Sequence, residues 1–190
     1  MPSKAQLTQT DNNAHREPLV VHPLPAAPTF TGRESELMTM REFWQGGPGV
    51  MSLIGLGGAG KTALAEKFFS WLIENGSPDG VLVWSFYDDP DANHFLKSAH
   101  RYFTGSDDVQ AVGAGWFHML SEALGTGGNY LLILDGLERV QRQQTDASGI
   151  YGELEDPLLR GLLSRLASGA GRTRAIISPA KRSRVSACPP

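Results

Sequence analysis

Eight residues constrain this chain more than any other stretch: Gly55-Leu56-Gly57-Gly58-Ala59-Gly60-Lys61-Thr62, between an apolar run, Val50 to Ile54, and a run of helical period, Thr62 to Asn75. The spacing satisfies GxxxxGK[ST] in the strand-to-helix setting its mechanism requires. Successive backbone N–H groups must converge on phosphate oxygens, which takes backbone angles and a close approach that a Cβ would obstruct. The helix opening at Thr62 adds its partial positive N-terminus. Lys61 can then reach the β- and γ-phosphates as a point charge, while the Thr62 hydroxyl can bind a Mg²⁺ bridging them. The candidate nucleotide-binding residues here are Gly55, Gly57, Gly58, Ala59, Gly60, Lys61, Thr62 and Ala63.

Strands and helices alternate around this loop. Thr31 followed by Glu34 fits a capping box, and Leu37, Met38, Met40, Phe43 and Trp44 then predict a short amphipathic helix that Gly46-Gly47-Pro48 stops. Val50 to Ile54 reads as a strand. The helix Thr62 to Asn75 carries Phe68, Phe69, Leu72 and Ile73 on its apolar side, with Gly76 as its stop. Val81 to Phe86 is a second strand, Asp91 to Phe103 and Val109 to Leu124 read as helices, and Tyr130 to Leu134 is a very apolar third strand. Pro157 to Ala167 is a helix with proline at its first position, and Arg174 to Ile177 a fourth strand. That succession predicts an α/β fold with a mainly parallel sheet. Residues 1–28, polar and then Pro-rich, read as a flexible lead-in, 29–178 as one nucleotide-binding domain, 179–190 as an irregular tail, and Gln141 to Glu155 as a mobile surface loop.

Composition narrows the function classes. With 190 residues, 41% of them hydrophobic, the chain can bury a core without staples, and its single cysteine, Cys188, permits neither an intrachain disulfide nor a cysteine-based zinc site. Seventeen Lys plus Arg against twenty Asp plus Glu give a net charge of -3, which offers no global pull toward nucleic acid or anionic membrane. The basic run Lys181 to Arg184 reads as a solvated tail. No segment approaches the roughly 18 apolar residues of a membrane span, and a cytoplasmic location is expected. His94, His100 and His118 lack a metal-ligand spacing with carboxylates.

A phosphate loop of this kind needs a carboxylate at the end of a neighbouring strand to hold the metal's water shell, and Leu131-Leu132-Ile133-Leu134-Asp135 supplies one. Alone, Asp135-Gly136 also fits a turn; coupled to the loop, Asp135 is read as the second magnesium residue after Thr62. Gly136 has no side chain to polarise water, so Glu138 is the nearest remaining acid. It is either the group that orients an attacking water or a solvated glutamate at a helix start. Lys61, Asp135 and Glu138 are thus the candidate catalytic residues. Trp84 and Phe86 are read as core.

Three stretches together resemble one family: Phe30-Thr31-Gly32-Arg33-Glu34-Ser35-Glu36-Leu37, the 55–62 loop, and Leu131-Leu132-Ile133-Leu134-Asp135-Gly136-Leu137-Glu138. They resemble the signal-transduction ATPases with numerous domains (STAND), of the NB-ARC and NACHT kind. The resemblance implies a P-loop NTPase three-layer fold, an ADP-bound resting state, ADP-to-ATP exchange on a signal, and oligomerisation that activates an effector. It also implies that Phe30, Gly32 and Arg33 contact the adenine and ribose; from the residues alone, Phe30 equally suits a helix anchor and Arg33 a solvated first-turn position.

The chain departs from that pattern after Ile177, where Ser178-Pro179-Ala180 stands in place of the expected γ-phosphate-sensing arginine. Members of the family continue with a fifth strand, a helical lid, a winged-helix domain and a repeat array. The reading is therefore a sheet incomplete at its C-terminal side, with the loop strand at an edge open to self-association and hydrolysis weak or absent. Two other readings stand beside the ATP/ADP switch: a stand-alone NTPase or phosphotransferase, and a non-hydrolysing interaction module with a remnant loop.

Overall fold

The computed structural model describes residues 16–27, 30–107, 115–142, 153–169 and 171–179. Its centre is a pair of strands, β3 (Gly80–Ser85) and β4 (Tyr130–Asp135), every residue of which is buried. Continuous apolar strands of this kind suit a parallel sheet covered on both faces. Five strands pair throughout in parallel, in the order β1 (Leu19–Val20), β3, β4, β5 (Arg174–Ser178), β2 (Val50–Ser52).

Side chains alternate across the sheet and give each face its own core. Leu82, Trp84, Leu132, Leu134, Ala175 and Ile177 pack beneath α3 (Ala92–Thr104), α4 (Gly115–Thr126) and α5 (Pro157–Ala167). Val81, Val83, Leu131, Ile133 and Ile176 pack beneath α1 (Glu34–Gly46) and α2 (Lys61–Asn75). The result is three layers, helices on both faces of a five-stranded sheet. No helix among the described residues is long and apolar enough to cross a membrane.

Local chemistry ends these helices where the sequence reading expects. Gly76 N–H donates to Leu72 O at 2.7 Å and closes α2, and Asp156 caps α5 by accepting from Leu159 N at 2.8 Å with Pro157 behind it. Trp84 and Phe86 are buried, as expected.

Four local expectations are corrected. Thr31 and Glu34 make no capping box: α1 is preceded by Gly32 (φ 77) and Arg33 (φ 63), two left-handed residues that turn the chain, and no side chain caps the helix. Met38 and Ile73 lie outward, 59% and 42% exposed, because the helix faces toward the sheet are filled by Met40 and Phe43 and by Phe68 and Leu72. The strand leading to the glycine loop ends at Ser52, although Leu53 N still bonds Ile177 O at 2.8 Å. The expected surface loop of the 141–155 segment falls mainly on 143–152, outside the described residues; at its base Gln141 bridges Leu154 and Arg142 N donates to Glu153 O at 2.8 Å. Within the lead-in, Leu19–Val20 joins the sheet as β1. Residues 109–114, 143–152 and 180–190, on which parts of the predicted helix, loop and tail fall, lie outside the described residues.

That N-terminal segment is fastened along its length. Arg16 donates to Tyr130 Oη at 2.6 Å and from its backbone to Asp79 O at 2.8 Å, Tyr102 Oη bonds Glu17 O at 2.9 Å, and Val21 N bonds Val83 O at 3.2 Å. The His22 ring then stands edge-on to Trp84, centroids 4.7 Å apart. From there the chain crosses toward the glycine loop, with Leu24 and Phe30 packed against the α1/α2 core.

Candidate functional site

Parallel strands end together, and their carboxyl ends are where ligands bind in open α/β sheets. Register aligns three such ends here: Ser85 opposite Asp135, and Asp135 opposite Ser178. The glycine loop leaves β2 at the same end of the sheet. Gly58 (φ 76) and Gly60 (φ 74) take left-handed backbone that an L side chain would strain, and Leu64 N bonding Gly60 O at 2.9 Å starts α2 directly behind them. Leu56, at the outer bend, is 84% exposed.

The lysine and threonine that open α2 point to different sides of the loop. Lys61 Nζ donates to Gly55 O at 3.0 Å and to Leu56 O at 3.2 Å, so its ammonium is folded over the loop carbonyls. Thr62 Oγ1 donates to Asp135 Oδ2 at 2.8 Å, across 73 positions of sequence. The other Asp135 oxygen accepts from Ser178 Oγ, which in turn accepts from Gly136 N at 3.1 Å. Asp135 is only 5% exposed, with a hydroxyl on each carboxylate oxygen.

A pocket of about 340 Å³ opens between these groups. Its walls are the loop from Gly57 to Ala63, Asp135, Tyr87, and the N-terminal segment at Pro25, Ala26 and Ala27. A second pocket of about 310 Å³ lies on the other side of Lys61, between α1 and the outer edge of β2, lined by Arg33, Glu36, Thr39, Met40, Met51, Ile54 and Leu64 among others.

The residues expected around a base divide. Arg33 Nη2 donates to Ala59 O, which pins the guanidinium to the loop at the rim of the second pocket. Phe30 packs against the α1/α2 core, in keeping with a helix anchor, and Gly32 makes the left-handed turn; neither lines either pocket. Glu138 stands on the 3-10 turn Leu137–Val140, and its Oε1 accepts from Tyr87 Oη. That hydrogen bond first, then burial and the Glu138 and Asp135 charges, push the Tyr87 phenol up to about 12. Among the described residues no group of three or more His, Cys, Asp or Glu is arranged to hold a metal.

Sequence reasoning missed Tyr87, the Ser178 hydroxyl as an Asp135 partner, and the Pro25–Ala27 wall. Register could have found the first two, since residues at and just past the ends of parallel neighbours emerge beside Asp135. Nothing in a Pro-rich lead-in marks it as a pocket wall. No protein-family model matches the chain, and no curated protein matches it either.

Proposed function

We propose that the chain is a P-loop nucleotide-binding domain, the ATP/ADP-binding core of a STAND-type signalling switch. The observation that carries this reading is the pairing of the 55–62 loop with Asp135: glycine backbone in left-handed turns, a lysine folded over it, and Thr62 held 2.8 Å from a strand-end carboxylate. A diphosphate suits the 340 Å³ pocket, with loop N–H groups, the α2 N-terminus and Lys61 as donors. Because Lys61 and the loop divide that pocket from the second, a nucleotide laid over the loop carries its base toward the apolar Met40, Met51 and Leu64 side, past Arg33.

Magnesium fits the polar end. Thr62 and Asp135 offer oxygen donors only, and two protein oxygens match a hard cation that keeps its remaining places for phosphate and water. When bound, it neutralises charge on the phosphates. Thr62 and Asp135 would hold it, with Ser178 fixing the carboxylate's orientation.

Calorimetric titration of the 190-residue chain with ADP and ATP, with and without Mg²⁺, tests the reading. Micromolar binding that falls by about a hundredfold in Lys61→Ala, or roughly 2.7 kcal/mol, is expected. Equal binding by wild type and Lys61→Ala overturns it.

A further inference from the structure

Beside Asp135 the chain closes a contact that the nucleotide reading leaves unused. Since Ser85 and Asp135 are register partners, Tyr87 and Gly136 leave their strands side by side. The Tyr87 ring covers Gly136, where a Cβ would come within 2.7 Å of a ring carbon, and the position is left-handed as well, at φ 70. Reaching across the glycine, the phenol donates to Glu138 Oε1, while Glu138 Oε2 is buried from solvent.

We propose that Tyr87 is a latch on Glu138: it withholds from water an acid near Asp135 that could take a proton during attack on a terminal phosphate. The inference rests on the nucleotide reading above. In the step withheld, a water oxygen bonds to the γ-phosphorus as the bond to the β–γ bridging oxygen breaks. The electron pair stays on the departing ADP, and the water's proton passes to the Glu138 carboxylate. A carboxylate oxygen already accepting a hydrogen bond is a weaker base, and its geometry is fixed on the donor instead of the water.

Two further facts support a latch over a core contact. Tyr87 is 54% exposed and lies on the turn just past β3, so its release uncovers little apolar surface. Its phenol, pushed up to about 12, remains a donor throughout the neutral range, so the latch opens by movement of that turn and not by ionisation of the tyrosine.

The experiment measures phosphate release from ATP with Mg²⁺ by the full 190-residue chain, its Tyr87→Phe and Glu138→Gln variants, and the double variant, alongside ADP binding by the wild type. Phenylalanine keeps the ring over Gly136 and removes only the donor. The latch predicts that Tyr87→Phe raises kcat by about tenfold, a fraction of the roughly 10²–10⁴-fold that a fully working general base contributes, and that the double variant loses the gain. A Tyr87→Phe rate equal to or below wild type overturns it, as does a gain that survives in the double variant. A wild type that binds no ADP overturns the nucleotide reading and the latch together; one that binds ADP while Tyr87→Phe gains nothing overturns the latch alone.

Discussion

The glycine loop and the Asp135 corner face each other across one pocket and are built in opposite ways. At Gly57, Gly58 and Gly60 an added Cβ would meet nothing within 4 Å, and Leu56 stands almost free of the protein. The loop's polar groups bond mainly to its own lysine and to Arg33. The corner is the reverse, with Asp135 buried, both its oxygens taken by hydroxyls, and Gly136 pressed against Tyr87. A loop of backbone donors can reshape around a ligand, whereas a corner assembled from three strand ends is set before any ligand arrives.

That contrast can be broken most directly at its buried end. Asp135→Ala leaves Ser178 and Thr62 without their acceptor, and we expect a loss of about 2 kcal/mol in urea denaturation. Lys61→Ala, whatever it does to binding, should leave the denaturation midpoint nearly unchanged, and equal losses in the two variants would erase the distinction. A finer comparison sets Gly136→Ala against Gly58→Ala. Both impose left-handed backbone on alanine at about 1–2 kcal/mol, but only position 136 also displaces a ring, so its loss should be the larger by roughly 1 kcal/mol. Similar losses would mean that Tyr87 yields freely.

The smallest effect is spectroscopic. Because the Tyr87 pKa is raised on folding, its protonated form stabilises the folded state fully below the ordinary phenol value of 10.0, and that contribution fades as pH climbs toward 12. Ultraviolet titration should show a late phenol that Tyr87→Phe removes and Glu138→Gln brings to lower pH. Tyr102, raised by burial, remains as a separate late-titrating group. An unchanged titration in Glu138→Gln would detach Tyr87 from that carboxylate.

How far sequence carries depends on how local the chemistry is. The loop, the start of α2 and the acid ending β4 are contiguous strings whose residue types state their own backbone needs, and the alternation of strands and helices gives the parallel sheet. The corner was only half legible, because Tyr87, Asp135 and Ser178 meet through register, a property of paired strands that a single run of residues does not carry. β1 has two ladder positions, too few for a period, and owes its place to Arg16 and Tyr102 contacts at long range. The Thr31–Glu34 pattern misled because Gly32 and Arg33 turn the chain between the presumed cap and the helix. Ile73 and Met38 misled because an apolar residue near a helix stripe need not lie within it.

The ladder lengths also bear on the order in which we expect the molecule to assemble. β3 and β4 share six paired positions, while β1 holds its neighbour by two and β2 by three, and the partner of β2 is β5, the last strand described. Loop closure costs entropy before the contacts it enables repay it, so we expect the central pair to zip early and the two edges, which bring the Pro25–Ala27 wall and the glycine loop to the pocket, to dock late. On that expectation the pocket is completed last as the chain folds and opened first as it unfolds. A ligand held there would then lengthen the life of the folded state without hastening its arrival.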